Sequence, residues 1–434
     1  MSTFDSAGLI EPLQKAVADL AYEVMTPIQA KSIPPLLEGR DVLGCAQTGT
    51  GKTAAFLLPI IQHLVNERKP RGWGIRALIL TPTRELAAQI GENFAQYAKH
   101  VRLSHYVIFG GVNQKPQVAA LERGLDVVVA TPGRLLDLHG QGFFNFDKIE
   151  FFVLDEADCM LDMGFIHDIR KVLDKLPPKR QNLLFSATMP GQIVQLANRF
   201  LSDPVRVEVN PQSSTAERII QKVMFVERPN KRRLLAHLLR DNDVESAIVF
   251  TRTKHGANRV VKDLGRAGIE ALAIHGNKSQ GARTRALQAF KSREIRILVA
   301  TDIASRGIDV SGVSHVFNFD LPNVSESYVH RIGRTARAGR DGIAIAFCDE
   351  TESDYLQDIE KLTGQPLDIV DDHEWHFPAA IPIKLKPGER RRSGKNNQGQ
   401  KSRSQQGTGQ SRRRRRRPPR GQGANASNRP SRRS

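Results

Sequence analysis

The stretch "FFVLDEADCML", residues 151–161, places three carboxylates within four positions directly behind an apolar run. The run FFVL has the length and composition of a strand buried on both faces, as in a parallel sheet. Asp155 and Glu156 then stand at the carboxyl end of that strand, where open α/β sheets bind ligands. Asp155, Glu156 and Asp158 would repel one another on an ordinary surface. The stretch therefore predicts a positive partner for them, a metal ion or a basic side chain.

The same unit recurs along the chain as a short apolar run, a polar loop and a helical stretch. This alternation predicts two α/β domains with parallel strands and crossover helices, at residues 1–209 and 219–378. The polar segment "NPQSSTAER", residues 210–218, is predicted to be the linker between them. The predicted strands are DVLGCA, RALILTP, YVIFGG, DVVVATP, FFVLDEA and NLLFSAT in the first half, and SAIVFTRT, EALAIHG, RILVATD, HVFNFD and IAIAFCD in the second.

The positive charge of the chain is concentrated at one end. Of a net charge of +18 over 434 residues, residues 387–434 supply sixteen Lys or Arg against one acid, or +15, which leaves 18 − 15 = +3 for the rest. This segment has almost no apolar side chain to bury, so it is predicted to be a disordered Arg-rich tail. Its six consecutive arginines, 412–417, would bind RNA through phosphate charge. A solubility tail or a segment that docks on a protein partner are the alternatives.

Composition favours a cytoplasmic protein without a membrane partner. No apolar run approaches the roughly 20 residues that a membrane span needs. The first residues, "MSTFDSAGLIEP", lack the basic start and apolar core of a signal peptide. Cys45, Cys159 and Cys348 are scattered without metal-ligand spacing, as expected of core residues in a reducing compartment.

A phosphate-binding loop is predicted at "AQTGTGKT", residues 46–53, between the run DVLGC and a helical stretch. Its glycines let backbone N–H groups surround phosphate oxygens, and Lys52 adds a point charge. The Thr53 hydroxyl and Asp155 are placed to hold Mg²⁺, and Glu156 to orient or deprotonate the attacking water. The general pattern begins with Gly, where this chain has Ala46. The loop residues predicted to hold the nucleotide are Thr48, Gly49, Thr50, Gly51, Lys52 and Thr53.

Together with the phosphate-binding loop, "DEAD", residues 155–158, and the elements around it resemble the DEAD-box family of ATP-dependent RNA helicases. The resemblance extends from Phe4 to about residue 375 and is closest to the bacterial RhlE-like group. It implies two tandem RecA-like domains that act on ATP and RNA. The matching elements, in order, are MTPIQ, the phosphate loop, PTREL, GG, TPGR, DEAD, SAT, IVF with TRT, HG with QGAR, ATDIASRGID and HRIGRTARAG.

The element MTPIQ resembles the part of the family that recognises adenine. Gln29 carries a donor and an acceptor that can pair with adenine N6 and N7, so it could select ATP over GTP. The resemblance implies that Phe4 and Tyr22 are the aromatic residues beside it. It also implies that Asp309, in "SRGID", holds the nucleotide ribose.

The resemblance implies further roles for residues of both domains. Arg334 and Arg337, three apart and so on one helix face, would reach the β- and γ-phosphates as arginine fingers. Ser186 and Thr188 of SAT would couple hydrolysis to strand separation. The implied contacts to the RNA backbone are Thr83, Arg84, Gly111, Thr131, Arg134, Arg252, Gly276 and Thr301.

Because the phosphate loop and the arginine fingers lie on different domains, the active site is predicted to be complete only when the domains close over ATP. RNA across both domains would favour closure, and each ligand would tighten binding of the other. The family resemblance implies local unwinding of RNA in ribosomal precursors or RNA-decay assemblies. A DNA-translocating helicase, an ATP-gated RNA clamp and an inactive homologue are the alternatives.

Overall fold

Each apolar run predicted to be a strand contains one in the computed structural model. The structure describes residues 2–47, 49–70, 72–209, 219–305, 310, 312–336 and 341–381. The predicted linker and Arg-rich tail lie outside these residues, as do Thr48, Asp309 and Arg337. The strands are β1 (Val42–Cys45), β2 (Ala77–Leu80), β3 (His105–Ile108), β4 (Val127–Ala130), β5 (Phe151–Asp155), β6 (Gln181–Ser186), β7 (Val205–Glu208), β8 (Ile219–Phe225), β9 (Ala247–Phe250), β10 (Leu272–Ile274), β11 (Ile297–Ala300), β12 (His315–Asn318), β13 (Gly342–Cys348) and β14 (Asp368–Ile369).

These strands form two seven-stranded sheets, in the orders β3-β4-β2-β5-β6-β1-β7 and β10-β11-β9-β12-β13-β8-β14. All the paired strands run parallel, which confirms the predicted α/β fold. The sequence predictions omitted β7, β8 and β14. In β7 and β8 buried and exposed side chains alternate in part, and β14 has only two residues. None of the three is a continuous apolar run.

Helices connect the strands, as parallel pairing requires. Several of them begin with recognisable caps. Thr26 and Gln29 form a capping box at the second helix, and the hydroxyls of Thr83, Thr253 and Ser279 each accept from a backbone N–H at the start of another helix. The helices are α1 (Glu11–Asp19), α2 (Pro27–Leu37), α3 (Lys52–Asn66), α4 (Arg84–Tyr97), α5 (Lys115–Glu122), α6 (Pro132–Gly140), α7 (Ala157–Asp162), α8 (Ile166–Leu173), α9 (Gly191–Phe200), α10 (Lys231–Leu238), α11 (Lys254–Arg266), α12 (Gln280–Lys291), α13 (Asp302–Ser305), α14 (Ser325–Ile332) and α15 (Ser353–Thr363), with short 3₁₀ helices at Phe4–Ser6 and Pro378–Ala380.

Each sheet is buried on both faces. In β4, Val127 and Val129 pack into one apolar core and Val128 and Ala130 into another, because successive side chains of a strand point to opposite faces. The central strands of the second sheet divide between two cores in the same way. This arrangement brings the loops that follow β1, β2, β4, β5 and β6 to one edge of the first sheet.

Candidate active site

The phosphate-binding loop connects β1 to α3, whose first residue is Lys52. Gly49 and Gly51 both have left-handed backbones, with φ of 83° and 96°, which favour glycine. A Cβ on Gly51 would lie 2.5 Å from Gln29 Nε2, so a larger residue would collide with that side chain. The loop thus directs the amino end of α3, with its unpaired N–H groups, toward the site.

Two buried carboxylates face this loop from the end of β5. Asp155 is 2% exposed and Glu156 is 7% exposed. Glu156 has a left-handed φ of 55°, which is strained for a residue with a side chain and is typical of functional sites. The Lys52 Nζ lies 3.6 Å from Glu156 Oε1. The positive partner predicted for the carboxylates is therefore present.

The charges of the site shift one another's pKa values. Burial raises the pKa of Asp155 to about 7, with the Lys52 ammonium opposing the rise and the Glu156 carboxylate adding to it. Burial alone would lower the pKa of Lys52, but Glu156, Asp155 and Asp158 outweigh it, so that pKa is raised. Lys52 therefore stays protonated, and the crowded carboxylates favour the arrival of a further cation.

The donor set fits both a phosphate and a magnesium ion. Within the described part of the chain, the buried Lys52 Nζ has no hydrogen-bond acceptor, which suits a phosphate oxygen. The Thr53 hydroxyl and the Asp155 carboxylate are hard oxygen ligands of the kind that Mg²⁺ prefers. Both residues line the same cavity as Lys52.

That cavity has a volume of about 290 Å³ and is lined from both halves of the chain. Tyr22 and Gln29 line it beside the phosphate loop, while Lys291 of α12 and Arg334, which follows α14, line it from the second half. Phe4 is buried and stacks on Tyr22 with ring centroids 6.1 Å apart. Arg334 thus lines the cavity as the sequence predicts for an arginine finger. The predicted helix face was wrong, because α14 ends at Ile332 and Arg334 lies in the turn beyond it. Lys291 was not predicted.

Gln29 also connects the adenine element to the phosphate loop. Its Oε1 accepts from Thr26 N at 2.8 Å, and its Nε2 donates to Gly51 O at 3.2 Å. An amide oxygen has a second lone pair and an amide nitrogen a second hydrogen. Gln29 therefore retains one acceptor and one donor for a base.

Asp158, the last residue of DEAD, forms hydrogen bonds directly with the SAT element. Asp158 Oδ2 accepts from Thr188 N and Thr188 Oγ1, both at 2.9 Å, and from Ala187 N at 3.2 Å. The Asp158 N–H donates to Ser186 Oγ at 3.2 Å. The sequence predicted a role for Ser186 and Thr188 but not this partner, which links the catalytic carboxylates to the loop after β6.

The RNA candidates of the first domain follow three strands at the same edge of the sheet. Thr83 caps α4, and the guanidinium of Arg84 lies against Gly111, where a Cβ would be 2.2 Å from Arg84 Nη1. Thr131 directly follows β4. Arg134 pairs with Asp137 through Nε at 3.3 Å, while its buried Nη1 has no acceptor among the described residues.

The RNA candidates of the second domain follow β9, β10 and β11. Thr301 is 8% exposed, and a Cβ on Gly276 would meet no atom within 4 Å. Arg252 differs from the rest because its Nη2 donates to Glu352 Oε1 at 2.7 Å and to Leu321 O at 2.9 Å. Those acceptors hold the guanidinium against its own domain.

Contacts between the two halves were also missed from the sequence. Arg283 Nη2 donates to Glu85 Oε2 at 2.7 Å, and Gln280 Nε2 donates to Glu85 Oε1 at 2.8 Å. Glu85 belongs to PTREL, and both partners belong to QGAR. The sequence indicated these elements, but the pairing joins residues up to 198 positions apart, which no local pattern specifies.

Two parallel sheets, a phosphate loop facing paired carboxylates and an arginine from the second half define a nucleoside triphosphatase with two RecA-like domains. A family model described as "DEAD/DEAH box helicase" matches residues 26–196, and one described as "Helicase conserved C-terminal domain" matches residues 230–339. The chain is 43% identical over 371 residues to a DEAD-box ATP-dependent RNA helicase CshA of Bacillus cereus, covering 86% of this chain and 70% of the relative. It is 46% identical over 369 residues to the RNA helicase CrhR of Synechocystis, covering 85% and 74%.

Solved structures agree with these relatives. Saccharomyces cerevisiae Dbp5 bound to RNA and ADP BeF3 superposes with a TM-score of 0.77 at 32% identity, covering 85% of this chain and 96% of that one. The helicase Mss116 bound to single-stranded RNA and UDP-BeF superposes with a TM-score of 0.78 at 29% identity, covering 86% and 81%. The chain belongs to the DEAD-box family of ATP-dependent RNA helicases. It is therefore an RNA-dependent ATPase, with ATP and RNA as its ligands.

Proposed function

We propose that this helicase locally unwinds or remodels RNA duplexes and RNA–protein complexes through closure of its two domains, driven by ATP and RNA. The observation that carries the proposal is the nucleotide cavity itself, which Lys52 and Asp155 line from the first half and Arg334 from the second. A nucleotide in this cavity contacts both halves at once. It therefore stabilises the closed state more than any open one.

Within the closed cavity each side chain has a distinct role. Lys52 and the amide groups at the start of α3 bind the phosphates. Thr53 and Asp155 hold Mg²⁺, which neutralises phosphate charge when bound. Glu156 orients the attacking water and takes its proton, and Arg334 stabilises charge on the transferred phosphoryl group.

The base and ribose are held at the other end of the cavity. Gln29 recognises adenine with its remaining donor and acceptor, and Tyr22, supported from behind by Phe4, packs beside the base. Asp309 and Arg337, on the second domain, are proposed to contact ribose and phosphate on the grounds of the family pattern alone.

RNA binds across the carboxyl edges of both sheets through its backbone. Thr83, Gly111 and Thr131 offer hydroxyl and backbone groups there, and Thr301 does so in the second domain. Contacts to phosphates and 2′-hydroxyls give a preference for RNA without sequence specificity. Asp158, bonded to Thr188, transmits the state of the nucleotide site to this surface.

Finer assignments rest on the sequence. We place the domains at 1–209 and 219–378 with residues 210–218 as linker, and we assign residues 387–434 an RNA-tethering role. We also propose a cytoplasmic location, assignment to the RhlE-like group, and ribosomal precursors or RNA-decay assemblies as targets. Among the residues described, no helix is both long and apolar enough to cross a bilayer.

The test is ATP hydrolysis with and without single-stranded RNA, comparing wild type with Glu156→Gln. We expect RNA to stimulate the wild type, and the variant to lose about 100-fold or more of the stimulated rate because the water loses its base. Glu122→Gln, which neutralises an exposed carboxylate on α5, is the matched control. Stimulation by DNA instead of RNA would contradict the proposal.

A clamp that holds RNA without separating strands uses the same closed state. Release of a labelled strand from a short duplex, measured alongside RNA dissociation, separates the two functions. Strand release at a rate comparable to hydrolysis supports remodelling. Slow RNA dissociation without strand release supports the clamp.

A further inference from the structure

A basic surface lies at the edge of the first sheet that is opposite the nucleotide cavity. A cavity of about 540 Å³, which we call the back pocket, is lined by the loop after α3 and by residues that precede the strands. Ser104 and Asp126 stand directly before β3 and β4. The RNA candidate Thr131 stands at the far end of β4, and a four-residue strand spans roughly 13 Å. The back pocket is therefore separate from the predicted RNA path.

An exposed tryptophan stands in this pocket. Trp73 is 44% exposed, and the Lys148 ammonium lies 4.6 Å from the centroid of its ring. The loop is held in place, because Trp73 N donates to Pro70 O at 3.1 Å. In addition, Gly124 packs closely against this loop: a Cβ on Gly124 would lie 2.8 Å from Gly72 Cα. The ring is thus presented to solvent by a packed loop.

Basic side chains surround the ring. Arg68, Lys69 and Arg102 line the pocket and are exposed. Within the described residues, Arg68 and Arg102 form no ion pair, whereas Lys69 lies 3.9 Å from a Glu67 carboxylate oxygen. The carboxylate that lines the pocket, Asp126, is already engaged by Ser104 N and Oγ, both at 2.7 Å. Arg68 and Arg102 thus outnumber the Asp126 carboxylate, and the pocket combines an aromatic face with an excess of positive charge.

We propose that the back pocket is a second binding site for single-stranded RNA, with a base stacked on Trp73 and phosphates held by Arg68 and Arg102. Stacking platforms flanked by cations bind single strands regardless of sequence. The carboxylates of an acidic peptide would use the positive charges but not the exposed indole face, whereas every nucleotide of RNA carries both a phosphate and a base that can stack, so RNA accounts for more of the site. A long strand could occupy the back pocket and the proposed RNA path at the carboxyl edges of the sheets together. The enzyme would then cover a longer stretch of RNA.

The chain contains two tryptophans, which makes the site directly observable. Trp375 packs against the core of the second domain, so the full-length variant Trp375→Phe leaves Trp73 as the sole reporter. We expect a long single strand, about 40 nucleotides, to quench its emission at concentrations that bind the enzyme. RNA-stimulated hydrolysis checks that this variant is folded. If Trp375→Phe is not folded, the quenching of Trp73 is instead obtained as the difference in quenching between wild type and Trp73→Phe.

Affinity provides the second measurement. Arg68→Glu/Arg102→Glu is expected to weaken binding of the long strand about tenfold, because the phosphates lose two cations and meet two carboxylates instead. It should leave ATPase stimulation by a short strand, about 8 nucleotides, unchanged. The control Lys175→Glu/Lys361→Glu makes the same charge change at exposed lysines elsewhere. This comparison separates the back pocket from the proposed function, which the short strand tests alone.

The proposal would be overturned if the long strand did not quench Trp73 and if Arg68→Glu/Arg102→Glu bound that strand as tightly as the control Lys175→Glu/Lys361→Glu. Quenching by polyglutamate but not by RNA would also overturn it and would assign the surface to an acidic protein partner. Quenching by RNA that is lost in Arg68→Glu/Arg102→Glu would support it.

Discussion

Gln29 shows how one side chain can serve both recognition and loop structure. One of its amide hydrogens and one of its lone pairs bond to the backbone at Gly51 and Thr26. The other hydrogen and lone pair are free to meet a base. Since Gly51 precedes Lys52, a base that fixes Gln29 also fixes the backbone that binds phosphate. We therefore expect adenine binding and phosphate binding to be coupled through Gln29.

Replacing Gln29 by Glu tests this coupling. The carboxylate can still accept from Thr26 N but cannot donate to adenine N7 or to Gly51 O. We expect ATP affinity to fall roughly 10- to 100-fold, the worth of a bidentate base contact, and preference for ATP over GTP to decrease. Competition binding with both nucleotides measures this, with Gln96→Glu, an exposed position on α4, as control. Equal losses for ATP and GTP would show that Gln29 supports only the loop.

Connections between elements explain how the nucleotide site reaches its surroundings. Asp158, the second residue of α7, lies next to the predicted catalytic carboxylates and accepts from three donors in the loop after β6. A carboxylate that accepts several N–H and O–H bonds fixes the geometry of the loop that supplies them. We therefore expect a movement of β5 or α7 to displace the SAT loop as well.

Thr188→Ala removes one of these bonds, the one from Oγ1, and leaves the two backbone donors. We expect duplex separation to fall about tenfold, as for loss of one hydrogen bond to a charged group, while RNA-stimulated hydrolysis changes much less. The two rates measured on the same duplex give the answer. Thr188→Ser retains the hydroxyl and should restore strand separation. A parallel loss of both activities would argue against a coupling role.

The Arg76–Glu150 pair joins the starts of the neighbouring strands β2 and β5. Arg76 is 1% exposed and donates through Nε and Nη2 to the two Glu150 oxygens, each at 2.7 Å. Burial alone would raise the pKa of Glu150, but hydrogen bonds from His63 and Arg76 lower it to about 2. The pair therefore stabilises the fold with Glu150 ionised.

Glu150→Gln leaves a buried guanidinium without its counter-charge, and we expect the free energy of unfolding to drop by about 2 kcal/mol. A depressed folded-state pKa stabilises the protein fully above the unfolded value of 4.5, and the stabilisation is lost as pH falls toward 2. The difference from wild type should thus be present in full at about pH 5 and shrink as pH falls below 4.5. Urea unfolding across this range measures it, with Glu122→Gln as control. A difference that persists unchanged in acid would attribute the loss to packing.

At the scale of the whole molecule, the sequence predicted what depends on order along the chain. Continuous apolar runs such as FFVL specified the strands, and parallel pairing then placed the residues that follow them at one edge. The contribution of Lys291 and the Glu85–Arg283 pair could not be predicted, because each depends on how two separately folded sheets meet.

The contact between the two halves shares residues with the proposed RNA-binding surface. Arg84 lies against Gly111 and also approaches Gln280 Oε1 at 3.5 Å, while the adjacent Glu85 binds Gln280 and Arg283. RNA that binds Thr83 and Arg84 would therefore contact the first turn of α4, the same turn that bonds to the second half of the chain through Glu85. This arrangement gives RNA a direct route to favour closure.

A double-mutant cycle on Glu85 and Arg283 tests that route. Both side chains are less than a tenth exposed, so removing either one leaves a buried charge unpaired in the closed state. We expect Glu85→Ala and Arg283→Ala each to lower RNA-stimulated kcat/KM by about 30-fold or more, and the double variant to lose much less than the product of the two. Arg285→Ala, an exposed arginine on the same helix α12, should behave as wild type. Losses that multiply independently would mean that the two side chains do not act as a pair, and closure would then depend on the nucleotide cavity alone.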